Sequence, residues 1–287
     1  MSSMEIAESC LRVRKIVGGW RADGLRVGFV PTMGALHEGH LSLVRKAIRN
    51  ADRTVVSIFL NPRQFGPGED LESYPGDLQL DTERLDAEGV DCVFAPGPEE
   101  IYPPGHCTSV HVSGLTEGLC GRYRKGHFDG VTTVCAILFG ILRPDVAVFG
   151  RKDAQQLAVV RRMVSDLRLG VEILAGDIVR EEDGLAMSSR NAYLSDAQRS
   201  QAPVIHRALL HAESMVRRGE TRRERILGSV REMIERAPLA EVQYLELVDP
   251  LTMEPTGSVD PHGLLAVAVY FGNTRLIDNI VLGTDGS

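Results

Sequence analysis

Apolar positions along this chain follow two rhythms. Up to about residue 179, short apolar runs alternate with stretches whose apolar residues recur every three or four positions. "LRVGFV" (25–30) reads as a buried strand and "HLSLVRKAIRN" (40–50) as a helix with Leu41, Val44 and Ile48 on one face. "RTVVSIFL" (53–60) is the next strand, which makes a strand–loop–helix–strand unit of the length a parallel crossover needs. The pattern continues through a helix over 78–88, a strand over 91–96, an apolar helix over 131–142 and a strand over 145–150. An amphipathic helix over 151–167, with Leu157, Val160 and Val164 on one face, and a strand over 171–179 complete it. Such alternation predicts an α/β fold, a doubly wound parallel sheet with helices on both faces.

The rhythm then changes. A polar loop, "REEDGLAMSSRNAYLS", leads to Ser195, the expected N-cap of a long helix ending near Gly219. A helix over 222–237 follows, then three strand-like runs, "VQYLELV", "LLAVAVYF" and "TRLIDNIVL". Helices followed by consecutive strands predict a smaller C-terminal α+β domain. The expected domains are 1–179 and 180–287.

Composition narrows the function. A net charge of −7 argues against non-specific binding to nucleic acid, although a local basic cluster could hold a phosphate. The longest apolar stretch, "VTTVCAILFGIL" (131–142), is too short to span a bilayer. The N-terminal "MSSMEIAESCLRVRKIVGGW" mixes charges among its apolar residues, unlike a signal peptide. The 5 cysteines include no C-x-x-C pair, and their odd number leaves no closed disulfide framework. Reduced thiols in a cytoplasmic protein are the expectation.

Ligands of an open α/β sheet bind at the carboxyl ends of its strands. Three polar segments follow predicted strands there: 31–40, 61–70 and 150–156. In the first, "PTMGALHEGH", His37 and His40 stand three apart with Gly39 between them, not in the i, i+4 spacing of a zinc protease. A metal site, a plain turn and a phosphate-facing loop are the alternatives. Gly34 and Gly39 would allow close backbone approach, and two imidazoles could donate to phosphoryl oxygens. In "FGRKD", Lys152 is a solvated lysine or a phosphate partner, and Gln156 lies one turn further on. "AMSSRN" puts Ser188, Ser189 and Arg190 in a loop of the kind that closes over phosphates. "NPRQF" supplies Asn61 and Gln64, amides suited to a hydroxy acid. Asp77 and Asp81, four apart on the next helix, are solvated acids or Mg²⁺ ligands. Neither the Walker A pattern nor G-x-G-x-x-G is present.

Taken in order, "PTMGALHEGH", "NPRQFGPGEDLESYP", "KGHFDGVTTV", "FGRKDAQQL" and "DGLAMSSRN" closely resemble the pantoate–β-alanine ligase family, over essentially the whole chain. The first and last are similar to the H-x-G-H and K-M-S-K-S elements of the wider nucleotidyltransferase superfamily. The resemblance implies a Rossmann-like sheet with a C-terminal lid domain. It implies condensation of (R)-pantoate with β-alanine through a pantoyl adenylate, releasing AMP and pyrophosphate. ATP would be a substrate and Mg²⁺ the cofactor, in a cytoplasmic homodimer without nucleic-acid or membrane partners. By correspondence, His40, His37, Lys152, Ser188 and Arg190 would be catalytic, with His40 the usual proton donor. Met33, Gly34, Ala35, Leu36, His37, Glu38, Gly39 and His40 would bind ATP with Gly150, Arg151, Lys152, Asp153, Val179, Met187, Ser188, Ser189 and Arg190. Gln64, Gln156 and Asn61 would bind pantoate or β-alanine, and Asp81 matches a metal position. The chain departs from the family pattern with Arg151 for Glu, Lys125 for Pro, Gly76 for Arg and Cys120 for Glu. Arg151 and Lys125 would add positive charge near the expected cleft.

Two rivals share features with this reading. A nucleotidyltransferase that stops at the first transfer would use the same histidines, but "NPRQF" and Gln156 suit a hydroxy acid better than a second phosphate. A non-catalytic nucleotide-binding module would not need the full set of His37, His40, Lys152, Ser188 and Arg190.

Overall fold

A computed structural model describes residues 4–283. The outermost residues of the two expected domains, 1–3 and 284–287, lie outside the described residues. The chain divides into two compact units. The first runs to Ser113 and adds Arg124–Arg151 and Val159–Asp177. The second comprises Gly114–Tyr123, Lys152–Ala158 and the chain from Ile178 onward.

The first unit is built on six parallel strands: β1 (Glu5–Ala7), β2 (Val27–Thr32), β3 (Arg53–Ile58), β4 (Cys92–Phe94), β5 (Val146–Gly150) and β6 (Glu172–Gly176), in the order β1-β4-β3-β2-β5-β6. The chain moves outward from β2 through β3 to β4, then returns to β2's other side as β5. That reversal, between β2 and β5, is a topological switch point, the place where open α/β sheets bind ligands beyond the carboxyl ends of their strands.

The four inner strands β2–β5 are buried almost throughout, as a sheet covered on both faces requires, while the edge strands β1 and β6 are partly exposed. Helix α1 (Cys10–Ala22) buries Val13, Ile16 and Val17 and was not expected from the sequence. Helix α2 (Glu38–Asn50) buries Leu43, Val44 and Ala47, while Leu41 and Ile48 flank that stripe half-buried. The stripe is shifted from the predicted one because the helix comes close to the sheet. A Cβ on Gly28 would lie 3.3 Å from the Ala47 carbonyl oxygen, so glycine in β2 permits the approach. Helix α3 (Leu78–Glu88) has the predicted bounds, and α4 (Pro98–Ile101) is a single turn. Helix α6 (His127–Leu142), which follows α5 (Leu119–Tyr123), begins four residues before the predicted 131. After β5 the chain makes a 3₁₀ turn (Arg151–Asp153) before α7 (Ala154–Asp166), where one continuous helix was expected.

In the second unit, Ser195 caps a helix as predicted, with a reciprocal bond between Ser195 and Gln198. The helix is not long, however: α8 (Asp196–Gln201) stops and α9 (Val204–Arg217) begins after Pro203. Proline has no N–H to continue the ladder and crowds the residue before it. α9 and α10 (Arg223–Glu235) pack on a three-stranded antiparallel sheet, β7 (Ala240–Val248), β8 (His262–Phe271) and β9 (Thr274–Gly283). Leu209, Ile226, Val230, Leu265, Val267 and Phe271 lie in its core.

Candidate functional site

Residues 33–40 leave the end of β2 in a loop held from below. The Thr32 hydroxyl donates to the Ser57 carbonyl oxygen (2.7 Å) and accepts from Gly34 N–H (3.3 Å). Gly34 (φ 87°) and Ala35 (φ 52°) are both left-handed. A Cβ on Gly34 would sit 3.1 Å from Asp81 Oδ2 and 3.3 Å from Ile58 Cγ2. Asp81 is 2% exposed and its Oδ1 accepts the Leu36 N–H at 2.8 Å. Burial raises its pKa against the pull of the backbone N–H groups of Leu36 and Ala35. Arg84 donates to the Leu36 carbonyl oxygen. Asp77 lies one turn earlier, as the N-cap of α3, and accepts from Leu80 N–H (3.0 Å).

The two histidines open α2. His37 is the N-cap and its Nδ1 accepts from Gly39 N–H (3.1 Å); His40 Nδ1 accepts from His37 N–H (3.4 Å). A backbone N–H only donates, so both Nδ1 atoms are acceptors and each ring proton is on Nε2. The ring centroids are 4.1 Å apart. Two Nε2–H donors therefore stand together at the positive end of a helix. Glu38, between them, is gripped through both carboxylate oxygens by Arg45, which holds its carboxyl below the usual range.

The loop after β3 carries a 3₁₀ turn, Pro62–Gln64. Asn61 (1% exposed) donates through Nδ2 to Gln64 Oε1 and to the Gly130 carbonyl oxygen, both at 3.1 Å. Its Oδ1 accepts from the Tyr102 hydroxyl (2.8 Å) and Arg63 N–H (3.3 Å). Gln64 Nε2 contacts Met33 Sδ at 2.6 Å, so the histidine loop and the amide turn meet inside the first unit. At the next strand end, Gly150 pairs with Gly176 and Arg151 lies 3.3 Å from Asp177, both of these side chains more than half exposed.

The remaining expected residues belong to the second unit. The Lys152 carbonyl oxygen accepts from Asn279 Nδ2 (2.9 Å), which ties the 151–153 turn to β9. Asp153 is exposed and Gln156 half-buried. Its neighbour Gln155 is buried and accepts from Cys120 N–H (2.9 Å) while donating to the carbonyls of Leu115 (2.8 Å) and Gly118 (2.9 Å). Val179 and Met187 are joined by a backbone bond of 2.9 Å across a tight hairpin in which Arg180 faces Ala186. The Ser188 hydroxyl then caps the 3₁₀ turn Ser189–Tyr193, accepting from Arg190 N–H at 3.3 Å.

Sequence reasoning passed over Thr32, Tyr102, Arg124, His127, Gly130 and Asn279. Thr32 lies in "PTMGALHEGH" and His127 and Gly130 in "KGHFDG", but the motifs alone assigned them no role. Among the described residues no cluster of three or more His, Cys, Asp or Glu is placed to hold a metal, and no helix is long and apolar enough to cross a membrane.

Known proteins share this architecture. A family described as pantoate-beta-alanine ligase matches residues 5–281. A pantothenate synthetase from Thermoanaerobacter pseudethanolicus is 49% identical over 280 residues, covering 98% of this chain and 99% of its own. Another from Trichlorobacter lovleyi is 51% identical with the same coverage. The crystal structure of pantothenate synthetase from Thermus thermophilus matches with a TM-score of 0.91 at 46% identity, over 96% of this chain and 99% of that one. Pantoate-beta-alanine ligase from Francisella tularensis, complexed with β-γ ATP and β-alanine, matches with a TM-score of 0.82 at 30% identity, over 99% of both chains.

Proposed function

The chain belongs to the pantoate–β-alanine ligase family, and from that premise we propose how its residues divide the reaction. The enzyme is an ATP-dependent ligase that joins pantoate to β-alanine to give pantothenate. In the first step the pantoate carboxylate attacks the α-phosphorus of ATP and pyrophosphate leaves. In the second the β-alanine amine attacks the acyl carbon of pantoyl adenylate and AMP leaves.

The paired histidines carry the reading. Negative charge grows on the phosphoryl oxygens as the first bond forms. Donors already aimed at that charge lower the barrier without reorganising. His37 and His40, each with Nδ1 committed to a backbone N–H, present Nε2–H for this purpose. His40 is the proton donor in this assignment, and Lys152, Ser188 and Arg190 bind phosphate oxygens. The ATP contacts are Met33–His40, Gly150–Asp153, Val179 and Met187–Arg190. Asn61, Gln64 and Gln156 take the hydroxyls and carboxylates of pantoate and β-alanine.

Mg²⁺ is commonly held by phosphates, waters and one or two carboxylates, and Asp81 Oδ2, buried without a hydrogen-bond partner among the described residues, fits that role beside the nucleotide. Held there it would neutralise phosphate charge. Asp81 is the one carboxylate suggested, and its Oδ1 already holds the Leu36 N–H. The remaining assignments are also proposals: residues 1–179 hold nucleotide and pantoate, 180–287 form the lid domain, and the enzyme works as a cytoplasmic homodimer.

The test is pyrophosphate release from ATP. It should require pantoate, and AMP should appear only when β-alanine is added. Pyrophosphate release without pantoate would overturn the reading.

A further inference from the structure

The segment "KGHFDGVTTV" interlocks with the turn that carries Asn61 and Gln64. His127, the first residue of α6, sets Nδ1 2.7 Å from the Gln64 carbonyl oxygen and Nε2 3.0 Å from Arg124 Nη1. A carbonyl only accepts and a guanidinium only donates, so Nδ1 carries the ring proton and Nε2 accepts. Arg124 Nη2 reaches the same carbonyl at 3.3 Å. Arg124 also grips Glu69 with Nε and Nη2, both at 2.7 Å, and Glu69 in turn accepts from Gly66 N–H at 3.2 Å. Burial pushes the Glu69 carboxyl up, but Arg124 holds it below the usual range. One turn into α6, a Cβ on Gly130 would fall 2.2 Å from the Arg63 carbonyl oxygen and 2.7 Å from Gln64 N. The helix backbone thus rests directly on the turn.

Holding the Gln64 carbonyl fixes the plane of the 64–65 peptide, and with the Gln64 N–H bonded to the Asn61 carbonyl oxygen (3.3 Å) it sets the direction in which the side chain leaves the backbone. We propose that Arg124 and His127 are positioning residues for pantoate and β-alanine: by holding the Gln64 carbonyl they set where the Gln64 amide points. This rests on the reading of Gln64 as the residue that binds those two substrates. Misplacing a binding group by about 1 Å can cost up to about 10²-fold. The two residues touch no substrate themselves in this assignment.

The test uses the full chain with His127→Leu, Arg124→Gln and Gln64→Ala, measuring KM for each of the three substrates and thermal unfolding. Loss of one charge-assisted or buried hydrogen bond should raise KM for pantoate and β-alanine about tenfold in the first two variants, with KM for ATP unchanged. A merely structural role would instead reduce the amount of active enzyme, lowering kcat and leaving every KM alone. His127→Asn should restore the low KM values, because its Nδ2 stands where Nδ1 does; His127→Gln, whose amide stands nearer Nε2, should not. If His127→Leu fails to fold, Arg124→Gln and the Asn/Gln pair carry the test. Equal rises in all three KM values, or a fall in kcat alone, would overturn the proposal. If Gln64→Ala raises the pantoate KM and the His127 and Arg124 variants do not, only this inference fails. If Gln64→Ala itself leaves that KM unchanged, the site assignment and the inference fall together.

Discussion

The two segments assigned to the nucleotide, 33–40 and 179–190, are shaped by opposite means. The first is fixed by buried groups: the Thr32 hydroxyl, the Asp81 carboxylate and left-handed backbone at Gly34 and Ala35. The second is a hairpin flanked by ion pairs. Arg180 binds the buried Asp278 at 2.6 and 3.1 Å, and Arg199 spans Glu181 and Asp183, each at 2.5 Å. Asn191 Nδ2 adds bonds to Glu181 (2.6 Å) and the Ala186 carbonyl (3.1 Å). Buried hydrogen bonds in a low-dielectric setting resist both salt and motion. The Arg199 pairs, about a third exposed, are screened and yield more easily, whereas the Arg180–Asp278 pair is buried and anchors the base of the hairpin. The difference matches the chemistry proposed for each. Donors that meet developing charge work best when they do not move, whereas a segment that gathers phosphates has to admit ATP and release pyrophosphate.

The largest effect that sharpens this contrast is at His40. His40→Ala should lower the rate of adenylate formation by about 10²–10³, the usual loss for one oriented donor, while KM for ATP changes little. Rapid-quench measurement of pyrophosphate release under single-turnover conditions reads it directly. A rise in the ATP KM at unchanged rate would mean that the imidazole only binds, and the buried loop would have no catalytic advantage over the ion-paired one.

Next in size is Gly34→Ala. The new methyl meets Asp81 Oδ2 at 3.1 Å on a backbone with φ 87°, which should cost about 1–3 kcal/mol. Gly219 is the control: its φ is 92°, but a Cβ there meets nothing within 4 Å. Gly219→Ala carries the backbone penalty alone, so urea unfolding of both variants separates strain from crowding. Equal losses would show that the Asp81 contact does not constrain the loop.

The parts of this molecule legible in sequence were those with local causes. Helix α3 keeps the bounds read from the sequence, although Asp77, expected on the helix beside Asp81, is its N-cap, and Gly89 ends it in the left-handed conformation. The parallel sheet followed from apolar runs such as "TVVSI", buried on both sides. What escaped depended on distant partners. Asp81 looked like an exposed acid on a helix, but its burial is decided by the backbone of residue 36, which no periodicity encodes. Gln155 and Gln156 are adjacent and chemically identical, and only the fold puts the first inside, on three backbone groups of residues 115–120. His127 likewise became visible only once the Gln64 carbonyl was placed against it. Pro203 is the opposite kind of miss, because its local signal was present and the long amphipathic pattern around it obscured the break.

The smallest effect tests the second segment. Asp183 has its carboxyl held below the usual range, chiefly by the Arg199 hydrogen bond. A depressed carboxylate contributes stability that is present above its ordinary value of 3.8 and lost as pH falls through the lower folded value. Arg199→Gln removes that partner and the one to Glu181 together. The pair side chains are about a third exposed, between 28% and 42%, so the loss at neutral pH should be about 1 kcal/mol or less. Two further signatures follow. The difference between wild type and variant should shrink in about 1 M salt, where the screening length is roughly 3 Å, and it should vanish on acidification below the carboxylate range. KM for ATP should rise about twofold, with the adenylation rate nearly unchanged. A loss as large as that of Gly34→Ala, persisting in high salt, would place the hairpin in the same class as the buried loop and remove the distinction between the two segments.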